Sequence, residues 1–401
     1  MKQFYEPSKS IPVYGSYDTV VVGGGFAGIS AALAAARGGN KVLLCEREYM
    51  LGGLGTAGLI TIYLPLCDGC GHQVSFGIAE ELLRESIKNG CEAEYPAEWL
   101  SDGTLEARIA HRYRVRYNAS LCAILYEKLL LKAGVELLYG TVVCDVSVED
   151  GCITHLMIEN KSGRSAVEVG NVIDCSGDAD VCAQAGECTT LYTKGNILAG
   201  WYYYCDEGEF NLQMVGASDV PMDEAKRKEL ERTVGNKRYI GLGGKELTEQ
   251  MIDSHDATYR HFLRKGDLRE GHYLATMASI PQVRMTRGLD SGFSLDVAHD
   301  KVYFEDSVGL FSNWKKRGPI YELPYRVLHG QKIHNLAAAG RALSATSEMW
   351  DVTRVIPVCA VTGEAAGTAA ALCKNFDEVS IATLQAKLRS NGVKLHVEEV
   401  L

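Results

Sequence analysis

A glycine-rich turn between an apolar strand and an alanine-rich helix constrains this chain more than any other feature. Gly23-x-Gly25-x-x-Gly28 directly follows the apolar run DTVVV and precedes a helix that we expect over Ile29 to Arg37. In this context Gly23 permits a tight turn, Gly25 lets the backbone approach a phosphate, and Gly28 allows close helix–strand packing. The helix N-terminus adds unpaired N–H groups and a positive dipole end. A glycine-rich turn can serve packing alone, but this strand–turn–helix context predicts a bound dinucleotide.

The residues after this helix indicate which dinucleotide is bound. The run KVLLCE is a second strand that ends at Glu46, whose carboxylate can accept hydrogen bonds from ribose hydroxyls. A second glycine cluster, Gly52-Gly53-Leu54-Gly55-Thr56, follows, although an ordinary loop would also explain it. A simple nicotinamide domain would continue with regular β-α-β units. The chain continues instead to a three-strand meander, and this favours FAD over NAD.

The rest of the pattern divides the chain into three parts. The meander covers 141–148, 152–158 and 164–169, and a further buried strand follows in NVIDCSG. Mixed short elements come next, with a charged helix near Met222 to Arg232, before NLAAAGR and VTGEAAGTAAALC restore a strand and an alanine-rich helix. We therefore predict an α/β fold: an FAD/NAD(P)-binding Rossmann-like domain with a β-meander and an inserted mixed α+β substrate domain. The predicted parts are 1–185 and 331–401 for the FAD-binding domain and 186–330 for the substrate domain.

The composition of the chain limits the partners and the location that we expect for the protein. The formal net charge of −10 gives no basic face for a nucleic acid, so we expect none. Residues 1–18 lack the apolar core of a secretory signal, and the uncharged stretch from Thr19 to Ala36 is interrupted by glycines, so we expect no membrane span. Thirteen scattered cysteines fit a reducing cytoplasm. A homo-oligomer remains open.

Several motifs together resemble a known family, the FAD-dependent oxidoreductases of the group that includes succinate dehydrogenase flavoproteins and the glucose-inhibited-division tRNA-modifying proteins. The matching segments are IPVYGSYDTVVVGGGFAG, LGGLGTAG, LCDGCGHQVSFGIAEELL, NVIDCSGDAD, IPQVRMTRGL and NLAAAGRALSATSEMWDVTRVIPVCAVTGEAAGTAAAL. The resemblance covers nearly the whole chain and is weakest between about Leu191 and Ala275. It is specific for the cofactor and unspecific for the substrate.

The resemblance implies a set of FAD-binding residues. Glu46 and Arg47 would flank the ribose, Val143 would meet adenine through its backbone, and a helix beginning near Thr362 and Gly363 would direct its N-terminus at the flavin ring. The remaining implied residues lie along the pyrophosphate and the flavin: Gly23, Gly25, Phe26, Ala27, Gly28, Gly53, Leu54, Thr56, Ser176, Gly177, Asp178, Gly340 and Arg341.

The residues that carry the reaction are less sharply defined. Cys67-x-x-Cys70 has the spacing of a redox dithiol, but Asp68 and Gly69 between the cysteines predict a loop without the helix N-terminus that would stabilise a thiolate. Incidental thiols, or a pocket containing Cys67 and Asp68, are the alternatives. Cys67, Cys70 and His72 lack an obvious fourth ligand for structural zinc, and we predict no metal.

Arg284 and Arg287 in VRMTRG lie near a probable domain crossing. A guanidinium there can bind a substrate oxyanion through two nitrogens. Interdomain salt bridges are the equal alternative for both arginines.

These patterns predict an FAD-dependent oxidoreductase that transfers hydride between a small polar organic substrate and flavin N5. Two alternatives stay open. One is a flavoprotein electron-transfer subunit with a protein partner. The other is a tRNA-modifying flavoprotein, against which the acidic composition counts.

Overall fold

The computed structural model describes residues 4, 5, 7–216 and 224–401, without the side chains of 226, 227, 229 and 230. The first part contains β1 (Val13–Val22), α1 (Phe26–Arg37), β2 (Val42–Cys45), β3 (Ile62–Tyr63), α2 (Ile78–Ser86), α3 (Ala97–Leu100), α4 (Leu105–Ala110), β4 (Val115–Arg116), α5 (Ala119–Lys132), β5 (Glu136–Leu138), β6 (Val142–Glu149), β7 (Cys152–Asn160), β8 (Gly163–Asp174) and α6 (Asp180–Gln184). The middle contains β9 (Thr189–Leu191), β10 (Asn196–Ile197), β11 (Ala199–Asp206), β12 (Glu209–Gly216), α7 (Glu224–Val234), β13 (Arg238–Tyr239), α8 (Gly244–Leu263), β14 (His272–Met277) and β15 (Arg287–Leu289). The last part contains β16 (Ser307–Ser312), β17 (Ile320–Pro324), β18 (Leu336–Ala338), α9 (Ser347–Thr353), α10 (Ile356–Ala370) and α11 (Ile381–Ser390).

A single sheet joins the two ends of the chain. Its strands follow the order β5-β2-β1-β8-β7-β6, and β18 pairs with β8. The pairs β2–β5, β1–β2, β1–β8 and β8–β18 are parallel, whereas β6, β7 and β8 form the antiparallel meander. Val20 and Val21 of β1 are fully buried, as parallel strands covered on both faces require. The sheet confirms the predicted α/β class with its Rossmann-like parallel strands and meander.

One strand replaces two that the sequence predicted. We expected the third meander strand to end at Val169 and a separate strand to begin at Asn171. The structure has one strand, β8, over Gly163–Asp174, which pairs with β7 through its first half and with β18 at its end. Gly170 lies between the two expected strands, and a Cβ there would lie 2.7 Å from the Asp18 carbonyl oxygen, so this glycine allows close contact with β1.

The helices α1 and α10 pack with their backbones in contact. A Cβ on Gly363 would lie 2.2 Å from the carbonyl oxygen of Ala27, and one on Gly367 would lie 2.2 Å from that of Ala31. The helix that we expected to begin near Thr362 begins at Ile356. Gly363 therefore lies inside α10 and packs against α1, and its predicted cofactor contact stays a prediction.

The middle of the chain has a small core of its own. The antiparallel sheet β12-β11-β14 packs against α8 around Tyr202 and Phe262. Phe311 of β16 and Tyr321 of β17 belong instead to the large core that contains α1 and α10. The division at 186–330 remains a proposal, and this packing favours an earlier second boundary, near 290. The predicted charged helix is α7; Met222 lies outside the described residues.

Candidate functional site

A cleft opens where β1, β2 and β8 end and α1 begins, and its empty space, with the open solvent at its mouth included, is about 1330 Å³. In open α/β sheets this edge, outside the carboxyl ends of the strands, is where ligands bind. Three parts of its lining come from different segments of the chain. The glycine wall is Gly23, Gly25, Glu46 and Gly53; the α10 wall is Arg354, Ile356 and Cys359; the inserted wall is Leu247, Ile280, Pro281 and Val283.

The glycine wall is shaped by absent side chains. Gly23 has φ +102, and a Cβ there would lie 2.4 Å from the Cys175 carbonyl oxygen. A Cβ on Gly28 would lie 1.8 Å from the Gly23 carbonyl oxygen, so Gly28 lets α1 approach the turn. A Cβ on Gly25 meets no atom within 4 Å, and Gly25 lines the cleft. The first turn of α1 has no side-chain cap, so its N–H groups remain available to a phosphate group.

Glu46 is fixed at the end of β2. Its two carboxylate oxygens accept hydrogen bonds from the backbone N–H of Gly24 at 2.6 Å and of Glu48 at 2.8 Å. Burial raises the pKa of Glu46, and these two N–H groups oppose that rise. Each oxygen keeps a lone pair for a further donor, so the carboxylate can also accept a bond from a hydroxyl at the cleft.

Most of the residues that the resemblance implied for FAD line this one cleft. Those residues are Gly23, Gly25, Phe26, Ala27, Glu46, Arg47, Gly53, Leu54, Val143, Ser176, Gly177, Asp178, Gly340 and Arg341. Their individual contacts with the cofactor remain predictions. Gly28, Thr56 and Gly363 are not part of the described lining; Thr56 instead donates its hydroxyl to the Leu51 carbonyl within its own loop.

Arg341 connects two segments of the chain that line the cleft. Its guanidinium donates to the carbonyls of Val283 at 2.8 Å and Arg284 at 3.0 Å, and to the Asp178 carboxylate at 3.2 Å. The same carboxylate accepts the Thr286 hydroxyl at 2.6 Å. Arg341 and Asp178 thus connect the segment after β8 to the segment that supplies the inserted wall.

The sequence prediction placed the start of α10 near Thr362 and therefore missed the residues of the α10 wall, and it also missed those of the inserted wall. The helix α10 begins at Ile356 without a side-chain cap, and Ile356 and Cys359 line the cleft. The uncapped end presents a positive dipole there. Burial raises the pKa of Cys359 to about 12, so it stays a neutral thiol near pH 7. Pro357 was a usable signal, because proline favours the first turn of a helix.

Cys67, Asp68 and His72 do not meet at this cleft. Asp68 is buried, and its carboxylate accepts the N–H of Cys70 at 2.7 Å and of His72 at 3.1 Å, while the His72 ring lies 2.9 Å from it. The Asp68 carbonyl accepts the N–H of Gly318. The geometry therefore makes Asp68 the organiser of its loop, set against residues 312–318. Cys67 is buried, whereas Cys70 is exposed, and both are free thiols.

The two arginines of VRMTRG also lie outside the described lining of the cleft. Arg287 donates to the Asp180 carboxylate at 2.7 Å and to the Asp178 carbonyl at 2.9 Å. These bonds favour the salt-bridge alternative at Arg287, and the substrate clamp stays a prediction. Arg284 is buried, and its backbone N–H and carbonyl bond Asn196 and Arg341.

Within the described residues, no group of three or more His, Cys, Asp or Glu side chains is arranged to hold a metal ion. In the same part of the chain, no helix has both the length and the apolar character needed to cross a membrane.

A parallel sheet with an uncapped helix at a glycine turn, an acid after β2 and a cleft at the strand ends defines a dinucleotide-binding α/β protein. The family model described as FAD dependent oxidoreductase matches residues 18–200 and 291–388. The chain belongs to this family: it is an FAD-dependent oxidoreductase, and its cofactor is FAD. The open space at Gly25 and the uncapped α1 fit the pyrophosphate of that cofactor.

Solved structures from several organisms are similar to this chain. A geranylgeranyl bacteriochlorophyll reductase-like protein from Thermoplasma acidophilum is 14% identical, with a TM-score of 0.50 over 95% of this chain and 93% of that one. The p-nitrophenol 4-monooxygenase of Pseudomonas putida DLL-E4 is 13% identical, with a TM-score of 0.49 over 93% and 83%. The myxobacterial chondrochloren halogenase is 15% identical, with a TM-score of 0.49 over 94% and 79%. The first likeness shows the fold alone. No curated protein matches the chain.

Proposed function

We propose that this oxidoreductase transfers hydride between a small polar organic substrate and flavin N5. The observation that carries the proposal is the cleft itself, in which the glycine wall, the α10 wall and the inserted wall line one space. Bound FAD supplies the hydride chemistry at N5. The protein binds and orients the cofactor and the substrate and excludes water.

Different residues of the cleft would bind different parts of the cofactor and the substrate. Gly25 and the first N–H groups of α1 would hold the pyrophosphate, and Glu46 would hold the ribose hydroxyls. The uncapped start of α10 would face the flavin ring, where its dipole favours negative charge. Leu247 and Ile280, which come from the middle of the chain, add apolar surface that keeps water from a bound substrate.

Anaerobic flavin bleaching tests the proposal directly. The purified protein is expected to be yellow, to release FAD on denaturation, and to lose its oxidised flavin absorbance with one member of a panel of sugars, hydroxy acids and amines. Release of another nucleotide would contradict the cofactor seat. A yellow protein that no small molecule reduces, but that a reduced electron-carrier protein does, would replace this function by the electron-transfer alternative.

We further propose a cytoplasmic location, supported by the thirteen cysteines, all of which are free thiols in the structure. The formal net charge of −10 supports the absence of a nucleic acid partner. Sedimentation of the holoenzyme would settle the homo-oligomer that the sequence leaves open.

A further inference from the structure

The positively charged side chains that line the cleft lie at different places along it. The cations among the described lining residues are Arg47, Arg341 and Arg354. Arg47 follows Glu46 at the ribose position, and Arg341 spends its guanidinium on two carbonyls and Asp178. Arg354 alone belongs to the α10 wall, just before the helix start that would face the flavin ring.

Arg354 is held by a carboxylate that is itself held. Its Nε donates to Asp351 Oδ1 at 3.0 Å, and a second guanidinium nitrogen donates to the same oxygen. The other oxygen of Asp351 accepts Lys315 Nζ, and its backbone carbonyl accepts Trp314 Nε1 at 3.0 Å. The side chains of Arg354 and Asp351 are 12% and 14% exposed. The guanidinium therefore has a fixed place at the cleft surface.

This network reaches back to the loop that carries Asp68. Arg112 donates to the carbonyls of Trp314 at 2.8 Å and Asn313 at 3.3 Å, and the Asp68 carbonyl accepts the N–H of Gly318. The turn over 312–318 thus contacts the Asp68 loop and supplies Lys315 to Asp351, so this loop is connected to Arg354 through the turn and Asp351.

We propose that Arg354 binds an anionic group of the substrate and that Asp351 is the residue that positions it, so that the substrate carries a carboxylate or a comparable oxyanion. This inference rests on the proposed function. A guanidinium presents several donors in a rigid plane that matches an oxyanion, and low exposure strengthens such a charged bond. Its place beside the positive end of α10 favours an anion further.

The experiment titrates the oxidised holoenzyme with carboxylates and their neutral amides, using benzoate with benzamide and succinate with succinamide, and follows the absorbance of bound flavin. A carboxylate is expected to perturb the spectrum saturably, and its amide only at roughly tenfold higher concentration or more. Arg354→Lys should weaken carboxylate binding roughly tenfold to a hundredfold while FAD content and amide binding stay the same. Asp351→Asn should weaken it less, because the cation remains but its position is loosened.

Arg326→Lys is the matched control. Arg326 is also paired with an aspartate through Nε and a second nitrogen, Asp306, but it is 48% exposed and is not in the described lining of the cleft. This variant should bind both ligand classes as the parent does. A yellow enzyme that no tested carboxylate perturbs, or whose Arg354→Lys variant keeps parental carboxylate affinity, overturns the inference. Loss of FAD from the parent would instead overturn the proposed function.

Discussion

The glycine wall and the α10 wall of the cleft differ in the groups that they present to a ligand. Apart from Glu46, the glycine wall is backbone: Gly23 admits a close contact, and Gly25 leaves open space before the N–H groups of α1. The α10 wall presents the Arg354 side chain, oriented by Asp351. A backbone-built wall suits the phosphate groups of the cofactor, whereas a side-chain wall can change with the substrate. The difference explains why the family match fixes the cofactor and not the substrate.

Gly25→Val is expected to have the largest effect, loss of FAD retention. The backbone of Gly25 has φ −69, which valine can adopt, so the fold should survive. The new side chain would project into the open space where backbone meets phosphate. FAD content after gel filtration measures the effect, with the thermal melt of the apoprotein as the control for folding. A valine variant with full flavin occupancy would show that the glycine wall is not the pyrophosphate seat.

The two walls also differ in how much of them could be predicted from the sequence. Strand, turn and acid were predictable because Gly23, Gly25 and Glu46 sit at fixed offsets in a local unit. Asp351 and Lys315 meet only because α9 and the turn after β16 are brought together by the fold. Arg287 shows the same limit: its position beside a domain crossing predicted a clamp, whereas the partner that the structure shows, Asp180, lies far back in the chain. Long-range pairing of this kind leaves no local signature.

Glu364 of α10 contacts the start of α2, and its titration is expected to make this contact pH-dependent. The buried carboxylate accepts the N–H of Ile78 at the start of α2, and burial raises its pKa to about 8. The folded state holds the Glu364 proton more tightly than the unfolded state does. The protonated side chain therefore contributes its full stabilisation below the ordinary glutamate pKa, and this stabilisation is lost as pH rises through about 8. The free energy of unfolding should fall by a few kcal/mol, on the order of 2–4, between pH 5 and pH 8.

Glu364→Gln isolates this effect because the amide does not titrate and its oxygen can still accept the Ile78 N–H. Urea unfolding of both proteins across this pH range gives the difference in stability. The difference should shift in favour of the glutamine variant as pH rises. A difference that is constant with pH would mean that Glu364 does not carry the titration.

Gly363→Ala should have a smaller effect, on the fold rather than on FAD chemistry. The new methyl group would lie 2.2 Å from the Ala27 carbonyl oxygen, so α1 and α10 must separate. We expect a loss of about 1–3 kcal/mol in the free energy of unfolding, as for other overpacked sites. Gly244→Ala is the matched control, because a Cβ on this helical glycine of α8 meets nothing within 4 Å. Equal effects of the two substitutions would contradict the backbone contact between α1 and α10.

Arg287→Lys should have the smallest effect, and it sharpens the contrast with Arg354. Lysine keeps the positive charge beside Asp180, whose pKa burial raises to about 6, and loses the second bond to the Asp178 carbonyl. With Asp180 43% exposed, the pair is partly screened, and we expect a loss of up to about 1 kcal/mol in unfolding free energy. Because Arg287 lies outside the described lining of the cleft, carboxylate affinity should stay within about threefold of the parent, under ~1 kcal/mol. Thermal melting and the carboxylate titration, run beside Arg354→Lys, measure both quantities. If Arg287→Lys weakened carboxylate binding as much as Arg354→Lys, the oxyanion would belong to VRMTRG after all, and the α10 wall would lose its assigned cation.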